Sequence, residues 1–221
     1  EFISGYLLNK RCLKQACPCG RSESSMTGMH ILFLEGGKIM KIIVPLAPGC
    51  EEIEAITIID VLRRANLNVV SAGLTDSLIT GSHGIAIKPD TLLHKANPVD
   101  YNCIVLPGGM PGSENLKKDD DVIKFIKHIF SKGGYVAAIC AAPIVLGSAQ
   151  ILYGKKATCF PGLEGELIGA TLINEPVVVD GTIITAKGPA CAIPFALTLA
   201  GLFAGKDVQD TLKNAMQVYW M

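Results

Sequence analysis

From Lys41 onward the chain alternates short unbroken apolar runs with longer amphipathic stretches. Lys41-Ile-Ile-Val-Pro-Leu46 is too brief for a helix and rich in β-branched residues, so it predicts a buried strand. Glu51 to Ala65 follows, with acids in its first turn and Arg63 and Arg64 in its last, the polarity a helix dipole favours. Asn68-Val-Val-Ser-Ala72 reads as the next strand, and Cys103-Ile-Val-Leu106 as another that runs into Pro107-Gly-Gly109. Asp119 to Ser131 is an amphipathic helix. Tyr135-Val-Ala-Ala-Ile139 is a strand that passes directly into Ala141-Ala-Pro-Ile-Val-Leu146. In the second half, Ala157-Thr158 is a short extended piece. Val177–Val179 and Thr182–Thr185 flank Asp180-Gly181, a hairpin turn signal. Two helices, about 190–204 and 207–217, close the chain. Alternating strands and helices with near-continuous apolar strands predict an α/β fold, its mostly parallel sheet covered on both faces.

Ligands in such sheets bind beyond the carboxyl ends of the strands. That puts three loops on one rim: Ala47 to Glu54, Pro107 to Pro111, and Ile139 to Pro143. Residues 1–39 do not share the pattern. They are basic and cysteine-rich at first, then polar, and Met40 directly precedes the first strand. They read as a non-domain extension (upstream sequence, an expression remnant, or a transit peptide), with a single domain over 40–221.

Composition narrows the function classes. The chain has 221 residues, 49% apolar and 18% charged, with a formal net charge of zero, so neither nucleic acid nor an anionic membrane is an expected partner. The longest apolar run, Ile193 to Ala204, is interrupted by Pro194, Thr198 and Gly201 and reads as a buried helix. Of eight cysteines, Cys12, Cys17 and Cys19 cluster near the start. Cys50, Cys103, Cys140, Cys159 and Cys191 are scattered singly, with no recurring metal-ligand spacing, so no metal is expected. Scattered thiols in an apolar domain suit a reducing compartment, the cytoplasm, or an organelle if 1–39 is a transit peptide.

Cys140 lies between a buried strand and a helix, among Ala138, Ala141 and Ala142. Pattern alone leaves two readings. It is a small buried apolar residue, or a nucleophile on a tight elbow whose pKa the following helix N-terminus depresses. Gly108 and Gly109 are either an ordinary tight turn or a bare backbone whose N–H groups bind an oxyanion or carboxylate. Glu51 and Glu52 are accounted for as exposed first-turn capping acids. Glu54, bracketed by Ile53, Ala55 and Ile58, is expected to be partly buried, with a raised pKa suited to proton transfer. No histidine falls in the three rim loops, although His83, in Gly81-Ser-His-Gly84, could approach from elsewhere.

Taken in register, Glu51-Glu-Ile-Glu54, Leu106-Pro-Gly-Gly109, Ala138-Ile-Cys-Ala-Ala-Pro143 and Lys187-Gly-Pro189 resemble the ThiJ/PfpI superfamily. The similarity is closest to the branch of the Parkinson-disease-associated protein deglycase and its bacterial relatives, and it runs from Lys41 to about Gln217. The resemblance implies a flavodoxin-like sandwich that forms homodimers. It makes Cys140 the reactive cysteine and Glu54 its companion acid, with Gly109 and Ala141 supplying oxyanion-binding N–H groups. It further implies a glutathione-independent glyoxalase or protein deglycase, acting on a small aldehyde or a glycated protein without a cofactor. The alternative use of the same cysteine is an oxidative-stress sensor or redox-regulated chaperone. Two departures bear on this. Phe160 stands where the animal branch has a histidine. Ala141 stands where the peptidase branch has one, which argues against a protease. The downstream His-x-Glu of glutamine amidotransferases is also missing.

Overall fold

The computed structural model describes residues 40–220; the expected N-terminal extension, 1–39, lies outside them. The elements run β1 (Lys41–Leu46), α1 (Glu52–Arg64), β2 (Asn68–Gly73), β3 (Ile79–Thr80), β4 (Ala86–Ile87), β5 (Thr91–Leu92) and β6 (Cys103–Leu106). They continue with α2 (Gly112–Lys118), α3 (Asp120–Ser131), β7 (Tyr135–Ile139), α4 (Pro143–Ser148), β8 (Lys156–Ala157) and β9 (Thr171–Leu172). The chain ends in β10 (Val177–Asp180), β11 (Ile183–Ala186), α5 (Ala192–Ala204) and α6 (Lys206–Ala215).

Seven strands form the central sheet in the order β10-β11-β7-β6-β1-β2-β5. All pairs are parallel except the β10–β11 hairpin, whose Asp180-Gly181 turn places Gly181 at φ +61°. Within it β2-β1-β6-β7-β11 is the flavodoxin-like order, and the direction of winding switches between β1 and β6. Both faces are dry, which is why the strands read as unbroken apolar runs. Ile42, Val44 and Leu46 point into one core with Ala55, Ile58 and Leu62 of α1 and Phe195 and Leu199 of α5. Ile43 points into the other, shared with Leu116 of α2, Val122, Phe125 and Ile129 of α3, and Leu146 of α4. Each of these side chains apart from Ala55 stabilises the fold by about 1.5–3 kcal/mol relative to exposure.

The expected elements form within a residue or two of their predicted ends. Helix α2 and strands β3, β4, β5 and β9 were not foreseen. Helix α2 has seven residues and begins Gly-Ser-Glu-Asn, with little apolar period to announce it. Strands β3 and β4 have two residues each and depend on what they dock against.

Candidate active site

The three predicted loops meet at the carboxyl edge, on either side of the switch between β1 and β6. After β1, Glu51 caps α1: its Oε2 accepts the Glu54 N–H at 2.7 Å. That cap fixes the first turn and sends Glu54 inward, where it is 0% exposed. Its neighbour Ile53 faces the other way and is 60% exposed, so Ile53 does not bury it. After β6, the bare backbone of Gly108 fits between acid and thiol. Its N–H donates to Glu54 Oε2 at 2.7 Å, and its carbonyl accepts from Glu51 N at 2.9 Å. A Cβ on Gly108 would lie 2.7 Å from Cys140 Cβ and 2.8 Å from Glu54 Oε2, so only glycine permits this approach. Gly109 takes φ +89° at the same turn.

Cys140 follows β7 at φ +62°, a left-handed conformation that costs a non-glycine residue of order 1–3 kcal/mol. Two bonds hold it there: its N–H donates to Ala186 O and its carbonyl accepts from Phe160 N, both at 2.8 Å. The strained elbow expected from the sequence is therefore present. Its electrostatics differ from the expectation. Helix α4 begins only at Pro143 and has six residues, so a helix dipole contributes little at the sulfur. Burial, followed by the nearby Glu54 carboxylate, pushes the thiol up to about 12, against the lowering pull of the Gly109 and Ala141 N–H groups. Burial also raises Glu54, to about 7, although its bond from Gly108 favours the ionised form.

The two groups therefore titrate as a pair. Glu54 Oε1 is buried without a hydrogen bond of ordinary geometry, although the acid lies close enough to Cys140 to couple their protons. When the pair holds one proton, placing it on Oε1 matches every group. The acid then donates to the sulfur, Gly109 and Ala141 N–H groups donate to it as well, and Gly108 serves Oε2. With the proton on sulfur, a charged Oε1 faces only a weak S–H donor. Loss of the first proton, near pH 7, leaves one proton shared between Glu54 and Cys140, and the tautomer able to attack a carbonyl is the thiolate beside a carboxylic acid.

The two acids expected to be exposed, Glu51 and Glu52, are both buried, and Glu52 does more than cap the helix. It is 4% exposed and binds the β3–β4 hairpin, accepting from His83 N at 2.8 Å, His83 Nδ1 at 2.9 Å and Ile85 N at 3.3 Å. Burial opposes its ionisation, but these bonds outweigh it and lower the carboxyl to about 2, while the same contact raises His83. His83 does reach the base of α1, a contact 31 residues apart in sequence that no local pattern announces. Among the described residues Glu51, Glu52 and His83 bring ligating atoms within 4.8 Å of one another. Their bonds to the helix cap and the hairpin already account for the cluster structurally.

A cavity of about 390 Å³ opens over the elbow, lined by Gly109, Met110, Cys140, Ala141, Phe160 and Leu163 among others. Phe160 is 46% exposed and contributes an apolar wall where an imidazole would have offered a base. The lining is mostly apolar, with Cys140 and backbone N–H groups as its polar features, which suits a small neutral carbonyl compound. Among the described residues no helix is long and apolar enough to cross a membrane.

Comparison with known proteins gives a consistent set of relatives. The model of the DJ-1/PfpI family matches residues 40–201. Protein DJ-1 homolog B of Arabidopsis thaliana is 40% identical over 180 residues, 80% of this chain and 41% of that protein, so the chain spans about two fifths of that relative's length. Deglycase PH1704 of Pyrococcus horikoshii is 33% identical over 153 residues, 68% of this chain and 92% of the relative. The crystal structure of Drosophila melanogaster DJ-1beta superposes with a TM-score of 0.78 at 37% identity, covering 81% of this chain and 98% of that one.

Proposed function

The chain belongs to the DJ-1/PfpI family, and on that premise we propose that it is a cysteine-dependent, glutathione-independent glyoxalase or deglycase acting on methylglyoxal-type α-oxoaldehydes or their adducts. The observation that carries this reading is the buried Glu54–Cys140 pair closed around the bare backbone of Gly108.

In this reading, Cys140 Sγ adds to the aldehyde carbon, and the new alkoxide of the hemithioacetal is held by the N–H groups of Gly109 and Ala141. Glu54 gives its proton to that alkoxide. The resulting carboxylate removes the proton from the same carbon and returns it to the neighbouring carbonyl carbon through an enediol, while the hydroxyl proton passes to the ketone oxygen. The former aldehyde carbon becomes a thioester while the ketone becomes an alcohol. Water attacks the thioester, the C–S bond breaks, and lactate leaves with the thiol restored. The aldehyde is oxidised and the ketone reduced within one molecule, so the step calls for no outside electron acceptor. A homodimer in a reducing compartment completes the proposal.

The test is lactate formation from methylglyoxal by wild type, Cys140→Ser and Glu54→Gln. Wild-type kcat/KM should rise with pH through about 7, as the pair loses its first proton. Cys140→Ser should show no turnover above buffer. Glu54→Gln, unable to move the proton, should lose about 10²–10⁴-fold in kcat. Equal lactate formation by wild type and Cys140→Ser would end this reading.

A further inference from the structure

Beside the cavity over Cys140 lies a second one, of about 270 Å³, that the proposed chemistry does not use. Thr158, Cys159, Pro161, Glu164, Asn174 and Lys187 line it among others, and Pro161 belongs to both cavities. Phe160 donates its N–H to the Cys140 carbonyl, lines the first cavity, and its ring packs toward Gly188, the residue after Lys187. A three-carbon oxoaldehyde bound at Cys140 needs only the first cavity. The second has about nine times the ~30 Å³ that a water occupies in the liquid, enough for a substituent of several atoms.

Its polar lining is dipolar. Lys187 Nζ donates to Asn174 Oδ1, which holds the ammonium at the cavity's edge. Glu164 Oε2 accepts only the Gly162 N–H, at 2.8 Å. Neither charge has an ion-pair partner among the described residues. Both nevertheless act on the same buried atom: after burial itself, Glu164 raises the Cys159 thiol and Lys187 lowers it. An ammonium and a carboxylate thus both line one small cavity. The complementary ligand is a zwitterion, its carboxylate toward Lys187 and Asn174 and its ammonium toward Glu164.

We infer that this second cavity is a subsite for the α-amino-acid end of a side-chain-glycated free amino acid, such as the hemithioacetal of methylglyoxal with cysteine. The inference rests on the proposed aldehyde chemistry of Cys140 and deepens it. The adduct's hemithioacetal and ketone carbons sit at Cys140. Its C–S bond breaks as the hydroxyl proton passes to the leaving cysteine thiol, the freed aldehyde carbon takes Cys140 Sγ, and the α-ammonium and α-carboxylate of the cysteine lie in the second cavity. Peptide-bonded residues lack those two charges, so free amino-acid adducts are preferred over the same adducts within a protein.

The test uses S-(2-oxopropyl)cysteine, a thioether that cannot release its carbonyl fragment, and the N-acetyl amide of the same compound. Binding to the full chain carrying Cys140→Ser is followed by NMR shift changes and calorimetry. The free amino acid should bind at least tenfold more tightly than its uncharged derivative. Adding Lys187→Met or Glu164→Gln should bring that ratio below about threefold, with perturbed signals at Cys159 and Asn174 lost. On the Cys140 background each single substitution should leave methylglyoxal turnover within twofold of wild type. Equal binding of the two compounds, or a ratio that both substitutions leave intact, overturns the subsite. Failure of wild type to turn over methylglyoxal would instead count against the proposed reaction, because the binding comparison does not depend on turnover.

Discussion

At Glu54, burial holds the carboxyl proton up to about pH 7, whereas the ordinary value is 4.5. Between those values the native state keeps a proton that the unfolded chain has released. The native form therefore binds more protons, and unfolding free energy falls as pH rises, by up to about 1.4 kcal/mol per unit. This stabilisation is fully present below about pH 4.5 and is lost as pH rises through about 7, about 3 kcal/mol in all. Urea denaturation at a series of pH values should show that slope in wild type and lack it in Glu54→Gln; parallel profiles would mean that Glu54 is not held protonated. Cys140 and Glu54 are legible in the sequence because each comes after a clear apolar run at the sheet's carboxyl edge, Cys140 directly and Glu54 after a loop. Their pKa values are less legible. The thiol's environment depends on where α4 starts and on which N–H groups turn toward the sulfur, and spacing along the chain specifies neither.

The strands were readable as elements because both faces of the sheet are covered; α1 was readable by its terminal charges, α3 by its amphipathic spacing and α5 as a near-continuous apolar run. The β3–β4 hairpin has no such signal, and its position is set by long-range contacts: backbone bonds from Gly49 N–H to Thr80 O and from Ser82 N–H to Cys50 O, both 2.8 Å, and the Glu52 side chain. Glu52 takes the N–H groups of His83 and Ile85, and a Cβ on Gly81 would lie 2.3 Å from the Glu52 carboxyl, so the hairpin wraps it closely. Glu52→Ala leaves those donors without their charged acceptor and should destabilise the protein by about 2–3 kcal/mol. Amide hydrogen exchange at His83 and Ile85 should quicken well beyond that in β1. The lowered Glu52 carboxyl has the opposite sign to Glu54: its stabilisation is present above pH 4.5 and is lost as pH falls through about 2. An acid-unfolding midpoint unchanged by Glu52→Ala would show that other contacts hold the hairpin.

For the whole molecule, the same corner presents large apolar side chains to solvent. Ile53 and Ile56, three positions apart on α1, are 60% and 48% exposed, and Ile85 of the adjoining hairpin is 59% exposed. Helical spacing puts the first two on one face, and the Ile85 N–H donates to Glu52, the residue before Ile53. Charged or polar residues would cost nothing at positions that stay in water, whereas three isoleucines there favour a partner surface of the same kind. A two-fold axis near α1 would pair this patch with its own copy, which is how most homodimers close. It would also bury the Glu52–His83 contact, linking assembly to the loop that carries Glu54. Ile53→Lys with Ile56→Lys would set four like charges across such an interface, and light scattering should show a shift from dimer to monomer at micromolar concentration. Because neither side chain contributes to the core, the monomer should keep its far-ultraviolet circular dichroism. A double variant that remains dimeric would move the interface to another face of the molecule.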